Sequence, residues 1–165
     1  MKKILLVLAG CLLASGAFAQ PSAFQMSLIP EIALHSPATR IKGVTLSLWG
    51  ENPQTAIALG VVNGSSGNSS GVSLGFLANY AENYEGAHLA WVANYTAQQF
   101  TGLQMAAFNY AQRLQGLQLG FVNFADVAER GLQIGFVNII NNNQLWFEAF
   151  PDEIAPVMPL VNWRF

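Results

Sequence analysis

The chain has one cysteine, Cys11, two histidines, His35 and His88, and little charge: Asp, Glu, Lys and Arg make up 10% of its 165 residues. One cysteine builds no disulfide framework, and no second His or Cys stands at metal-ligand spacing from either histidine. No serine lies in a G-x-S-x-G elbow, and no lysine followed by Ser or Thr closes the Gly/Ser-rich stretch at 64–70 into a phosphate-binding loop. Basic residues are too few and too scattered for a nucleic-acid footprint. Proline is missing from 54 to 150, a span over which strand ladders can run without interruption. These absences predict no enzyme: no catalytic, cofactor-binding or metal-binding residues, no cofactor and no nucleic-acid partner.

What is present begins with an export signal. Lys2 and Lys3 precede an apolar stretch over 4–19 that ends in Ala17-Phe18-Ala19, an A-x-A cleavage site before Gln20. The stretch is too short to favour a retained membrane helix. Leu8-Ala9-Gly10-Cys11 also spells a lipobox, so lipidation at Cys11 competes with cleavage after Ala19, which is the preferred reading. The expected organisation is a signal peptide over 1–19 and a single β-repeat domain over 20–165. Of the seven Lys and Arg, Lys2 and Lys3 leave with the leader; five remain against nine Asp and Glu, a net of −4.

The domain repeats one phrase. Gly131-Leu132-Gln133-Ile134-Gly135-Phe136-Val137-Asn138 restates Gly116-Leu117-Gln118-Leu119-Gly120-Phe121-Val122-Asn123, and looser copies start at Gly43, Ala56, Gly71, Gly86 and Gly102. A short fixed period decides architecture before any single residue does. Within each copy apolar residues alternate with small or polar ones, a period of two that marks strands. One face reads Val44, Leu46, Leu48 in the first copy and Leu132, Ile134, Phe136 in the last; the other carries Thr45, Ala58, Ser73, His88, Gln104, Gln118 and Gln133. Charges such as Glu82, Glu85, Arg113, Asp126, Glu129 and Arg130 fall between copies. Phe24, Met26 and Leu28 suggest an opening strand, residues 145–150 a further short one, and residues 64–70 a flexible connection.

Two architectures meet this pattern. The preferred one is an all-β antiparallel up-and-down β-barrel of about 8–10 short strands in the outer membrane, where crossing takes roughly 9–11 residues per strand. Its apolar face would meet lipid, and the Gln, Ser and Gly face would fill a narrow lumen. Tyr80, Tyr84, Trp91, Tyr95, Tyr110 and Phe124 would then be interfacial aromatics. Val161, Trp163 and Phe165 alternate like a closing barrel strand, and Trp163 with Phe165 would be read by the barrel-assembly machinery. The alternative is a parallel β-solenoid with coils of about 15 residues. It is favoured by Asn63, Asn79, Asn94, Asn109, Asn123 and Asn138, which would stack as an amide ladder, and by Tyr84, Phe100, Leu114 and Val127, which would form a second packed side. Neither end of the chain reads as a polar cap, which counts against the solenoid.

The units Gly-Leu-Gln-x-Gly-Phe-Val-Asn and the ending Pro159-Leu160-Val161-Asn162-Trp163-Arg164-Phe165 resemble a family of uncharacterised exported surface-repeat proteins of bacteria, over residues 24–165. The early copies depart from it, with Thr45, Ala58, Ser73 and His88 in place of Gln. The resemblance implies export and the surface of a Gram-negative-type bacterium, and no activity. Some relatives carry polyester-synthase labels, but the nucleophilic cysteine elbow such enzymes need is absent here. His88 reads as one more polar residue of the Gln face, and Glu82 and Glu85 as solvated loop charges. The expected function is non-enzymatic, structural or small-solute, in the outer membrane or at the cell surface. The alternative is a secreted or lipid-anchored solenoid serving in adhesion or interaction.

Overall fold

The computed structural model describes residues 20–165; the expected signal peptide over 1–19, with its expected cleavage site and Cys11, lies outside the described residues. There are eight strands and no helix among them: β1 (Ser22–Ile29), β2 (Ile32–Ala33), β3 (Ile41–Glu51), β4 (Thr55–Ala90), β5 (Ala93–Met105), β6 (Phe108–Leu119), β7 (Val122–Ile140) and β8 (Val157–Arg164). They form one sheet in the order β2-β1-β3-β4-β5-β6-β7-β8.

β4 holds 36 residues, which drawn out straight at about 3.3 Å each would span on the order of 120 Å. It coils instead: Gly71 lies on the Ala56 backbone, and Gly86 on that of Gly71. From β3 to β7 every strand pairs parallel with the next, and like residues stack: Asn79 on Asn94, Gly86 on Gly102, Tyr95 on Tyr110, Leu117 on Leu132, Gln118 on Gln133. A chain that comes back parallel to itself about 15 residues later is winding a solenoid.

This overturns the antiparallel barrel. Hairpin strands would bring neighbours together in opposite directions, whereas here each copy re-enters from the same end. The sheet also stays open, with β2 at one end of the order and β8 at the other. The assignment of faces survives the change. Thr45, Ser73, His88, Gln104, Gln118 and Gln133 are all buried, while Leu48, Ile57, Phe76, Trp91, Phe121 and Phe136 point outward.

The ends are capped after all, by polar networks made from residues scattered through the sequence. At the first coil, the Gln25 side chain donates to the His35 carbonyl and to Asn52 Oδ1, both at 3.0 Å, and accepts from the His35 N–H. Asn52 Nδ2 in turn donates to the Ser36 and Thr39 carbonyls. At the last coil, β8 turns antiparallel onto β7. There Asn143 Nδ2 donates to the Ala155 and Trp163 carbonyls, Asn162 Nδ2 to the Ala155 carbonyl, and Arg164 pairs with Glu153.

Three local expectations are corrected as well. Residues 64–70 lie within β4, stacked on the preceding turn: Ser65 and Ser69 are buried, Ser69 Oγ accepts from the Gln54 N–H, and the Ser70 N–H donates to the Gln54 carbonyl. Residues 145–150 are turns, with Phe147 at φ 62° and the Glu148 N–H donating to the Leu145 carbonyl. In the second packed side Tyr84, Phe100 and Leu114 are buried as expected, but Val127 is exposed and Ala128 takes the inner place. Glu129 is the extra residue there: Leu114 pairs with Ala128, but Gln115 pairs with Arg130.

Candidate interaction surface

Inside the coils an asparagine column runs the length of the repeat, and a shorter glutamine column runs through its last three coils. In the asparagine column Nδ2 of Asn63, Asn79, Asn94, Asn109 and Asn123 each donates to Oδ1 of the next, at 3.0, 2.9, 2.9, 2.9 and 2.8 Å. The second Nδ2 hydrogen finds a backbone carbonyl, such as that of Leu89 for Asn79, Leu119 for Asn109 and Ile134 for Asn123, which fixes the direction of each amide. In the glutamine column the donation runs the other way, from Gln133 to Gln118 and from Gln118 to Gln104, both at 2.7 Å. Two antiparallel columns of amide dipoles thus line the interior, and satisfied amides are tolerated there where bare ones would not be.

His88 stands next in the glutamine column, paired with Gln104, but cannot continue it. It is fully buried, with its ring centroid 3.9 Å from that of Tyr84 and 5.3 Å from that of Phe100, and neither ring nitrogen has a partner. Burial pushes its pKa down to about 3, so the imidazole is neutral, and burial pushes the Tyr84 phenol up. Both groups are neutral and buried. Glu82 and Glu85, expected in a loop, lie within β4 but are exposed, with Glu82 Oε2 accepting from the Gly67 N–H at 2.8 Å. His35 sits in the capping loop, 2.9 Å from Ser22 Oγ. No three His, Cys, Asp or Glu side chains converge among the described residues.

The aromatics split into three sets. Tyr84 is core. Tyr80, Tyr95, Tyr110 and Phe124 stack in register along one corner, with ring centroids 5.0 Å apart for Tyr95–Tyr110 and 5.6 Å for Tyr110–Phe124. Two of them turn a hydroxyl to an acid: Tyr110 donates to Asp126 and Tyr80 to Glu51, each at 2.6 Å. The hydrogen bond to Asp126 pushes the Tyr110 phenol up to about 12, and burial, then the bond to Glu51, does the same for Tyr80. Trp91 belongs to the third set, on the flat outer face.

That face is the feature an isolated, water-soluble molecule would not be expected to keep. Three apolar columns stand side by side on it, one residue from each per coil: the column of Leu103, the column of Met105 and the column that holds Phe76, Trp91, Phe121 and Phe136. Trp91 is 76% exposed, Phe136 66%, Phe76 64% and Phe121 59%. The rings of Phe121 and Phe136 stack at 5.3 Å. Ala107 interrupts the column between Trp91 and Phe121, within a groove of about 720 Å³ that runs from Trp91 to Leu160 and Val161 of β8 and is lined between them by Ala106, Gly120 and Gly135 and by Met105, Leu119 and Ile134. Nine strand rows at about 4.8 Å and outward residues spread over about 13 Å, widened by their side chains, give a face on the order of 700 Å². Apolar patches of that size on a protein surface mark interaction sites.

At the far end, Trp163 pairs with Leu132 and its indole donates to the Pro151 carbonyl at 2.9 Å, while Phe165 is 68% exposed. The reading of these two residues as a signal to barrel-assembly machinery depended on a barrel that the strand pairing does not form. Sequence reasoning found every residue of the outer face but gave it to lipid; the signal it did not use was the groove at Ala107, the one small residue in the third column of the last four repeats. Neither a family model nor a curated protein nor a solved structure matches this chain.

Proposed function

We propose that this protein is an exported, non-enzymatic β-solenoid of the bacterial cell surface, working as an interaction module through its apolar outer face. The observation that carries this reading is the outward placement of bulky side chains along the whole repeat, over a core built from amides. Such a core holds the coil together by hydrogen bonds and close packing, so the large apolar residues are free to serve another surface. The leader-like N-terminus and the resemblance to exported surface-repeat proteins support the location.

The reading is tested by fractionation and by charge. The protein should leave washed cells without detergent, and its gel mobility should not shift on heating as a membrane barrel's does. Phe121→Glu with Phe136→Glu should leave the thermal unfolding midpoint within a few degrees and sharply reduce binding of an apolar dye to the native protein, measured at a protein concentration low enough to leave the face uncovered. Retention of dye binding by that double variant would remove the outer face from the proposal.

A further inference from the structure

Two adjacent coils of the outer face have a size pattern that nothing within one molecule explains, whereas the last two coils carry large residues in both columns, Leu117 with Phe121 and Leu132 with Phe136. In the coil that carries Trp91, the residue four positions earlier on the same face is Ala87. In the next coil the order reverses: Leu103 is the large residue and Ala107 the small one. Positions four apart on a strand are separated by about 13 Å, so these side chains do not touch each other and have no intramolecular reason to trade size.

A second copy supplies the reason. Two sheets packed face to face lie about 10 Å apart, with side chains interdigitating. A two-fold axis parallel to the solenoid axis keeps each coil level with the same coil of the partner and exchanges the first and third columns. Trp91 then lies over Ala87 of the partner subunit, and Leu103 enters the groove at Ala107 of the partner subunit. A two-fold axis along the strands, midway between these two coils, instead sets Trp91 over Ala107 of the partner subunit and Leu103 over Ala87 of the partner subunit; in that arrangement Leu103→Ala does not relieve Ala107→Leu, so the pair of substitutions separates the two.

We propose that the occupant of the apolar face is a second copy of this chain, in this parallel, face-to-face arrangement. The proposal rests on the interaction-module reading and names its partner. The face, on the order of 700 Å², is close to the roughly 800 Å² per partner that a stable complex buries. The three columns carry no charge, so identical faces meet without repulsion. Competing occupants are disfavoured by what surrounds the face. Adsorption to an anionic lipid surface uses Lys and Arg, and residues 20–165 hold five of these against nine acids. An added peptide strand needs an open sheet edge, and the edges lie at the capped ends of the solenoid rather than on this face.

The test is sedimentation equilibrium on the purified protein, with flotation on vesicles of phosphatidylethanolamine and phosphatidylglycerol as a second arm. We expect a dimer that does not float. Ala107→Leu should weaken dimerisation at least about ten-fold by overfilling the groove, with an unchanged melt because position 107 faces outward. Adding Leu103→Ala to that variant swaps large and small residues and should restore the dimer. A dimer indifferent to both changes, or one that the second fails to restore, overturns the arrangement. A monomer that floats with vesicles or binds apolar dye overturns the second copy while leaving the surface reading standing. A monomer that does neither overturns both.

Discussion

Asn123 Nδ2 donates to Asn138 Oδ1 at 2.8 Å, one full coil further along the chain, and spends its other hydrogen on the Ile134 carbonyl. Each interior asparagine is thus a donor to the next coil, an acceptor from the previous one and a clamp on the local backbone. Removing one from the middle strands partners on both sides.

Asn109→Ala is therefore expected to destabilise by about 3 kcal/mol or more, since the Asn94 amide loses its acceptor and Asn123 Oδ1 its donor, and each buried group left unpaired costs about 1–3 kcal/mol. Urea denaturation followed by circular dichroism reads this directly. A loss under about 1 kcal/mol would mean that the column contributes little to holding the coils together.

His88→Gln should keep stability at neutral pH within about 1 kcal/mol of the parent: the imidazole nitrogens it removes have no partner, but both Gln104 Nε2 hydrogens are already given to Thr96 Oγ1 and the Tyr110 carbonyl. The same substitution should change the acid response. The folded pKa of His88, about 3, is below its ordinary 6.5, so the unfolded chain binds the proton more readily. Its contribution to stability is full above pH 6.5 and is lost as pH falls towards 3, at up to about 1.4 kcal/mol per pH unit. Melting points at pH 7 and pH 4.5 should fall less for His88→Gln than for the parent; equal drops would contradict the buried neutral assignment.

Gly102 and Gly67 should respond differently to alanine. Gly102 has φ +129°, and an added Cβ would run into the Gly86 carbonyl oxygen of the coil beneath. Gly67 has φ +57° with open space around it. Gly102→Ala is expected to destabilise by more than about 3 kcal/mol, and Gly67→Ala by about 1–2 kcal/mol from the left-handed conformation alone. Thermal melts of the two variants side by side check the contrast.

Thr101→Cys with Gln115→Cys should form a disulfide readily, as these residues pair directly across β5 and β6 and parallel neighbours fall within disulfide reach. The only native cysteine is Cys11, so a gel under non-reducing conditions gives a clean reading. Failure to crosslink in the native protein would contradict the parallel register.

The period, the strands and the inward set of side chains were legible in the sequence; the path of the chain was not. Gln104, Gln118 and Gln133 point inward in a barrel and in a solenoid alike, and Phe121 and Phe136 point outward in both, so alternation cannot separate the two. The asparagine column could, because only parallel stacking brings Asn63, Asn79 and Asn94 into contact. The caps were hidden because Gln25, Asn52, Asn143 and Asn162 meet only after the coils have formed. Residues 64–70 read as loose because Gly and Ser mark flexible segments locally, yet Ser65 and Ser69 are held by Gln54 from the coil below. The outer face was legible residue by residue, while the groove at Ala107 needed the stacking of four coils and β8 to exist.

The two caps touch only the coils next to them, and the coils between share one asparagine column. The molecule is in that sense a ruler. Duplicating or deleting one unit of about 15 residues changes its length by about 4.8 Å and its outer face by one row, and leaves both ends intact. Length is the property such a gene can adjust in whole steps.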